Sequence, residues 1–175
     1  LYNFMDGMDG LAGIMTVIGF FGLGIVAMNE SSFSIALISF STVVSVIPFL
    51  LFNFHPARIF MGDCGSVPLG FLSVAIGFYG WLEQLWSFFF PVILFAPFLA
   101  DATFTILRRL LKKKNIFKPH QEHYYQRLVK YGYSVKKVWL GFTFAMVLCT
   151  IIGVSTYKKT LTFQALVFTV LFLFS

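Results

Sequence analysis

Charge is scarce in this sequence: seven acidic and thirteen basic residues stand among 175, or 11% of the chain. A soluble domain of this size needs a far more polar surface to stay dissolved, which excludes a single soluble core. Cysteine is nearly missing too. Cys64 and Cys149 are the only two, far apart and in different surroundings, which leaves neither a disulfide framework nor a metal-binding spacing. No stretch alternates polar and apolar residues as a half-buried strand would. There is no basic n-region followed by an apolar run and a small-residue cleavage site, so no signal peptide is expected. The chain opens on Leu1, directly before a polar motif, and reads as a piece of a longer membrane protein or a chain whose start is missing.

What is abundant is apolar surface. Hydrophobic residues make up 58% of the chain and Phe alone occurs 24 times. A spanning helix needs roughly 20 mostly apolar residues, because the hydrocarbon core is about 30 Å thick. Five stretches approach that length: Leu11 to Met28, Ile35 to Phe52, Val67 to Leu82, Leu85 to Leu107 and Val138 to Ser155. A sixth, Leu161 to Ser175, runs to the end of the sequence. Backbone groups in lipid must be satisfied within the segment, so these are helices. The expected fold is all-α and integral to the membrane, one domain of about six transmembrane helices.

Six helices sort the connections into two sets. Residues 1–10, 53–66 and 108–137 carry Arg58, Arg108, Arg109, Lys112, Lys113, Lys114, Lys118, Arg127, Lys130, Lys136 and Lys137. Residues 29–34, 83–84 and 156–160 carry only Lys158 and Lys159. Eleven against two places the first set in the cytoplasm. Asp6, Asp9, Asp63, Glu122 and the three histidines, His55, His120 and His123, fall in that same set. Acids and histidines gathered among bases on one face suit a site for a metal and an anion.

Two strings in the first set carry candidate ligands. Asn3-Phe-Met-Asp6-Gly-Met-Asp9-Gly leads into the first helix. If that helix begins early, Asp6 and Asp9 share a face and suit a hard cation such as magnesium. Capping of the helix start, or a pair of Asp-Gly turns, explains the same residues. Asn53-Phe-His-Pro-Ala-Arg-Ile-Phe60-Met-Gly-Asp63-Cys-Gly-Ser66 places Gly62 and Gly65 around Asp63. It reads as a short loop whose amides cradle a phosphate while Asp63 holds a cation against it.

The basic loop from Arg108 to Lys137 has His120, Glu122, His123, Tyr124, Tyr125 and Arg127 at its centre. Attraction to anionic lipid heads explains Lys112 to Lys114; it does not explain the histidines and tyrosines. No cysteine joins the cluster to make a zinc site. Nothing resembles a basic groove interleaved with aromatics, so nucleic acid is not an expected partner. Asp101, inside the fourth apolar stretch, has Arg108 two turns away on the same face, which suggests a structural ion pair or a catalytic acid.

In order and context these strings resemble the polyprenyl-phosphate sugar-1-phosphate transferases of glycosyltransferase family 4. The resemblance covers Asn3 to Gly13, Asn53 to Gly70, and Asp101 to about Gly132. The string from His120 through His123-Tyr-Tyr-Gln-Arg127-Leu is similar to the branch that initiates O-antigen synthesis. The resemblance implies an inner (plasma) membrane enzyme with cytoplasmic catalytic loops, initiating a cell-envelope glycan. A UDP-linked amino sugar gives its sugar-1-phosphate to a polyprenyl (undecaprenyl) phosphate and UMP leaves. It implies magnesium at Asp63, catalytic parts for Asp6, Asp9 and His123, and substrate contacts for Asn3, Asn53, Phe60, Arg108, His120 and Arg127. A homodimer is one assembly it allows. The family's adjacent aspartate pair has no counterpart here, so the chain matches about the C-terminal half of such an enzyme and is expected to be inactive alone. Two other classes fit parts of the sequence: a transporter or channel using Asp101 and the acids as an ion path, and a non-catalytic remnant binding anionic lipid.

Overall fold

A computed structural model describes residues 2, 6–113 and 122–174. Asn3 and His120 lie outside the described residues, as do Lys114 and Lys118. Among the described residues there are helices and no strand: α1 (Leu11–Asn29), α2 (Phe33–Asn53), α3 (Gly62–Leu82), α4 (Phe89–Leu94), α5 (Ala96–Leu111), α6 (Tyr124–Lys130), α7 (Val135–Thr156) and α8 (Leu161–Phe174). By length and composition α1, α2, α3 and α7 are able to cross a membrane, and α8 is a shorter apolar helix.

The central element is α1, packed against α2, α3, α4 and α7. Phe20, Leu23, Val26 and Ala27 meet Ile35, Ala36 and Val43 of α2 and Phe90 and Leu94 of α4 in one buried cluster. A second cluster gathers Leu11 and Met15 of α1 with Phe98, Tyr125, Val138 and Met146. By contrast, Val67, Phe71, Val74 and Phe78 along α3 are exposed, as an apolar surface in lipid is free to be.

Two boundaries depart from the hydropathy reading. The third apolar stretch starts at Gly62 rather than Val67, which brings Asp63 into the first turn of α3 and Ser66 just beyond it. The Gly-rich loop expected around Asp63 is therefore a helix start: Gly62 turns the chain at φ 57° and Ser66 Oγ donates back to the Gly62 carbonyl at 2.9 Å. The fourth stretch is divided at Phe95 into α4 and α5. Pro97 opens α5, where its missing N–H is no loss; inside a continuous helix its ring would clash with the preceding turn. The break lets the Phe95 ring lie in a notch at Gly19, where a Cβ would come within 2.4 Å of it.

The two sets of connections meet at opposite ends. At one end Tyr157 and Lys158 both reach Glu30 Oε1 at 2.7 Å. Nearby, Gln164 of α8 hydrogen-bonds Ser87 and the Thr156 carbonyl. The other end holds Asp6, Asp9, Asp63 and α6.

Candidate active site

The first string does not enter its helix early. Residues 6–10 form turns, and α1 begins at Leu11 behind Gly10 at φ 75°, with no side-chain cap and no acid in its first turn. Neither Asp6 nor Asp9 caps α1, and the shared helical face is not formed. Each carboxylate turns instead to the second string. Asp6 accepts a hydrogen bond from the Gly62 amide, the first of α3, close to Asp63. Partial burial raises its pKa above the ordinary carboxylate value, the Gly62 amide opposes this, and the Asp63 charge adds to the rise.

Asp9 Oδ2 accepts from the Ala57 amide at 3.1 Å and lies 2.8 Å from His55 Nδ1. Asn53 completes the join. It is buried at 4% exposure, with Oδ1 accepting from the Gly10 amide at 3.0 Å and Nδ2 donating to the Ile59 carbonyl at 2.8 Å. The two strings are thus one unit stitched by side chains. His55 belongs to it, although spacing alone did not single it out. Asp63 and Phe60 stand exposed on its surface.

Three residues past Asp63, at Ser66, begins an apolar cavity of about 540 Å³, running from Ser66 and Tyr2 between α3 and the α4–α5 break to Phe78 and Phe88. Its walls are almost wholly hydrocarbon and aromatic, with Phe95 among them.

The basic loop reaches the site through α6. The Tyr125 hydroxyl takes a hydrogen bond from the Gly7 amide, and burial raises the phenol's pKa, as does the charge of Asp101. A Cβ at Gly7 would stand 2.4 Å from that hydroxyl. Arg127 is half-buried, its guanidinium carbon 5.5 Å from the Tyr124 ring centroid and 5.8 Å from that of Tyr131, with Nη2 donating to the Tyr131 hydroxyl at 3.2 Å. That bond lowers the Tyr131 pKa and raises that of Arg127. His123 is buried under the start of α6.

Asp101 does not find its partner in Arg108, as the two-turn spacing suggested. Its Oδ1 accepts from the Tyr124 amide at 2.7 Å and the Thr105 hydroxyl at 3.2 Å. These nearer donors satisfy the buried carboxylate before a long, half-buried arginine two turns away is needed. It is Arg109, one position on, that is buried, with Nη1 3.4 Å from Glu122 Oε1. Arg108 stays at the end of α5 facing partly into solvent.

Comparison with known proteins shows the family of this chain. The family model described as "Glycosyl transferase family 4" matches residues 1–81, which hold both stitched strings. A probable undecaprenyl-phosphate N-acetylglucosaminyl 1-phosphate transferase of Bacillus subtilis (strain 168) is 37% identical over 134 residues, 75% of this chain and 37% of that protein. The chain belongs to glycosyl transferase family 4. A phospho-N-acetylmuramoyl-pentapeptide-transferase of the same organism is 36% identical over 155 residues, 87% of this family member and 46% of the relative. An undecaprenyl-phosphate alpha-N-acetylglucosaminyl 1-phosphate transferase of Yersinia pestis is 28% identical over 172 residues, 91% and 45% of the two chains. The chain spans less than half the length of each of these curated relatives. With its four long apolar helices, this family member is a membrane protein.

Proposed function

We propose that this chain is part of a transferase moving a sugar-1-phosphate from a UDP-linked amino sugar to undecaprenyl phosphate. An oxygen of the lipid phosphate bonds to the sugar-bearing phosphorus, the P–O bond to the second phosphate breaks, and UMP leaves. The reading rests on one observation above all. Asp6 accepts from the Gly62 amide at the start of α3 and feels the charge of Asp63, about one turn before Ser66, which lines an apolar cavity. One end suits a diphosphate with its cation, the other an isoprenoid chain.

Asp63 would hold magnesium, with Asp6 beside it. Among the described residues no three of His, Cys, Asp and Glu converge as metal ligands. A carboxylate pair suits an ion that keeps waters and takes its remaining ligands from substrate phosphates. Bound there, magnesium neutralises the diphosphate and the leaving phosphate. Asp9 and Asn53 hold the segment that leads through Phe60 to Asp63, and Phe60, exposed on it, would stack on a nucleotide ring. Arg127, beside the rings of Tyr124 and Tyr131, would engage a phosphate, with His123 at the start of the same helix; Arg108 and His120 would complete the substrate contacts.

In this reading the chain is a single membrane domain, the C-terminal part of a longer multi-spanning enzyme. The α4–α5 pair makes one interrupted span and α8 a sixth, with Asp63 facing the cytoplasm. The test is release of UMP from a UDP-amino sugar by the full-length enzyme, with undecaprenyl phosphate and magnesium supplied. Turnover that persists near normal in Asp63→Asn refutes the assignment of the metal to Asp63.

A further inference from the structure

Asp101 is an acid with no place in the reaction just described, yet its side chain is only 2% exposed. A carboxylate is hidden at such expense only where its lone pairs are well occupied. Here Oδ1 takes the Tyr124 amide at 2.7 Å and the Thr105 hydroxyl at 3.2 Å. Oδ2 faces the Tyr125 amide at 3.5 Å, and His123 Nδ1 lies 3.5 Å from Oδ1. Three of these four groups come from residues 123–125, the start of α6, where helix geometry leaves backbone amides to be met by side chains. The carboxylate thus fastens α6 to α5.

At the other side of α6 the Tyr125 hydroxyl meets the Gly7 amide, while its ring is buried with Leu11, Met15 and Phe98. Two fixed points, Asp101 and Gly7, determine where α6 lies, and Arg127 sits one turn beyond the first. We infer that Asp101 is a positioning residue, which sets His123 and Arg127 against the segment carrying Asp6 and Asp9. The catalytic consequence rests on the transferase reading above; the fastening of α6 does not.

Asp101→Asn in the full-length enzyme is the test. It keeps the size of the side chain and one acceptor, but removes the charge and turns an N–H₂ toward the Tyr125 amide. Loss of a hydrogen bond to a charged group corresponds to about tenfold or more in an opening equilibrium. Trypsin cleavage after Arg127 and Lys130 is therefore expected to accelerate about tenfold. With active enzyme, kcat is expected to fall by about the same factor, while KM for the nucleotide sugar stays within about twofold. An aspartate that served only the overall fold would reduce the yield of enzyme and leave kcat of the folded fraction unchanged. Cleavage at the wild-type rate overturns the inference, as does faster cleavage with unchanged kcat. If the wild type itself releases no UMP, the transferase reading fails, and the cleavage comparison still decides whether Asp101 holds α6. Should the Asn variant not accumulate, Thr105→Val strips one donor from the same carboxylate, and a cleavage rate about threefold higher is expected; no change would overturn the fastening.

Discussion

Asn53 offers a quantitative test of the stitched loops. Its side-chain amide is buried, with its oxygen on the Gly10 amide at 3.0 Å and its nitrogen on the Ile59 carbonyl at 2.8 Å. Each such bond contributes about 1 kcal/mol net, and stranding a buried donor costs about 1–3 kcal/mol. Gly10 is buried and its amide would be stranded, whereas Ile59 lies on an exposed part of the loop where water replaces the lost donor. Asn53→Ala should therefore destabilise the full-length enzyme by about 2–4 kcal/mol. Asn53→Asp should not rescue it: one oxygen still serves Gly10, but the other faces the Ile59 carbonyl and carries a charge in a buried position. Denaturant unfolding of the purified enzyme in detergent, followed by tryptophan fluorescence, measures both variants. An alanine variant within about 0.5 kcal/mol of wild type, against the 2–4 kcal/mol worked here, would refute the reasoning. Full stability with lost turnover would instead assign Asn53 to the substrate.

Asp63→Asn should abolish UMP release without lowering the unfolding temperature, because it removes a like charge that raises the Asp6 pKa. A parallel loss of stability would contradict that account of Asp6. Gly7→Ala should lower the unfolding temperature, since its Cβ would come within 2.4 Å of the Tyr125 hydroxyl. Adding Tyr125→Phe leaves the ring carbon at 3.5 Å and the end of the flexible Gln126 side chain, which can turn aside, at 2.9 Å, so the double variant should be more stable than the sum of the single changes. Strict additivity would show that the hydroxyl is not what Gly7 accommodates. Gly80→Ala should cost about 1–3 kcal/mol or prevent folding, as its Cβ would overlap the buried Trp86 ring, with the nearest atom at 2.0 Å. Near-normal expression and unfolding would refute that packing.

Hydropathy located α1, α2 and α7 to within three residues at each end, because an apolar run in a membrane protein has little choice but to be helical. It failed where helix and apolar run are different things. The first turn of α3 is polar and still helical, while Phe95-Ala-Pro97 is apolar and still a break. At the site, residue types pointed to Asp6, Asp9 and Asp63, but not to how they are used. The carboxylate of Asp9 goes to His55 and Ala57, and that of Asp101 to the amides of a helix more than twenty positions further on. Partners so distant leave no periodic trace, and the local rule that offered Arg108 to Asp101 had no access to them.

The contact between Tyr125 and Gly7 also has a bearing on the order in which the protein is made. Helices of a membrane protein enter the bilayer largely in sequence, so the contacts of Asp9 with Ala57 and of Asp6 with Gly62 can form as soon as α3 is in place. Arg127 arrives only after the chain has passed through α4 and α5 and folded α6 back onto Gly7. A nascent chain halted between these moments would hold its two acid-bearing strings together without the cationic side chain that α6 brings to the same end. Docking of the Tyr125 hydroxyl on the Gly7 amide would be the step that adds that charge.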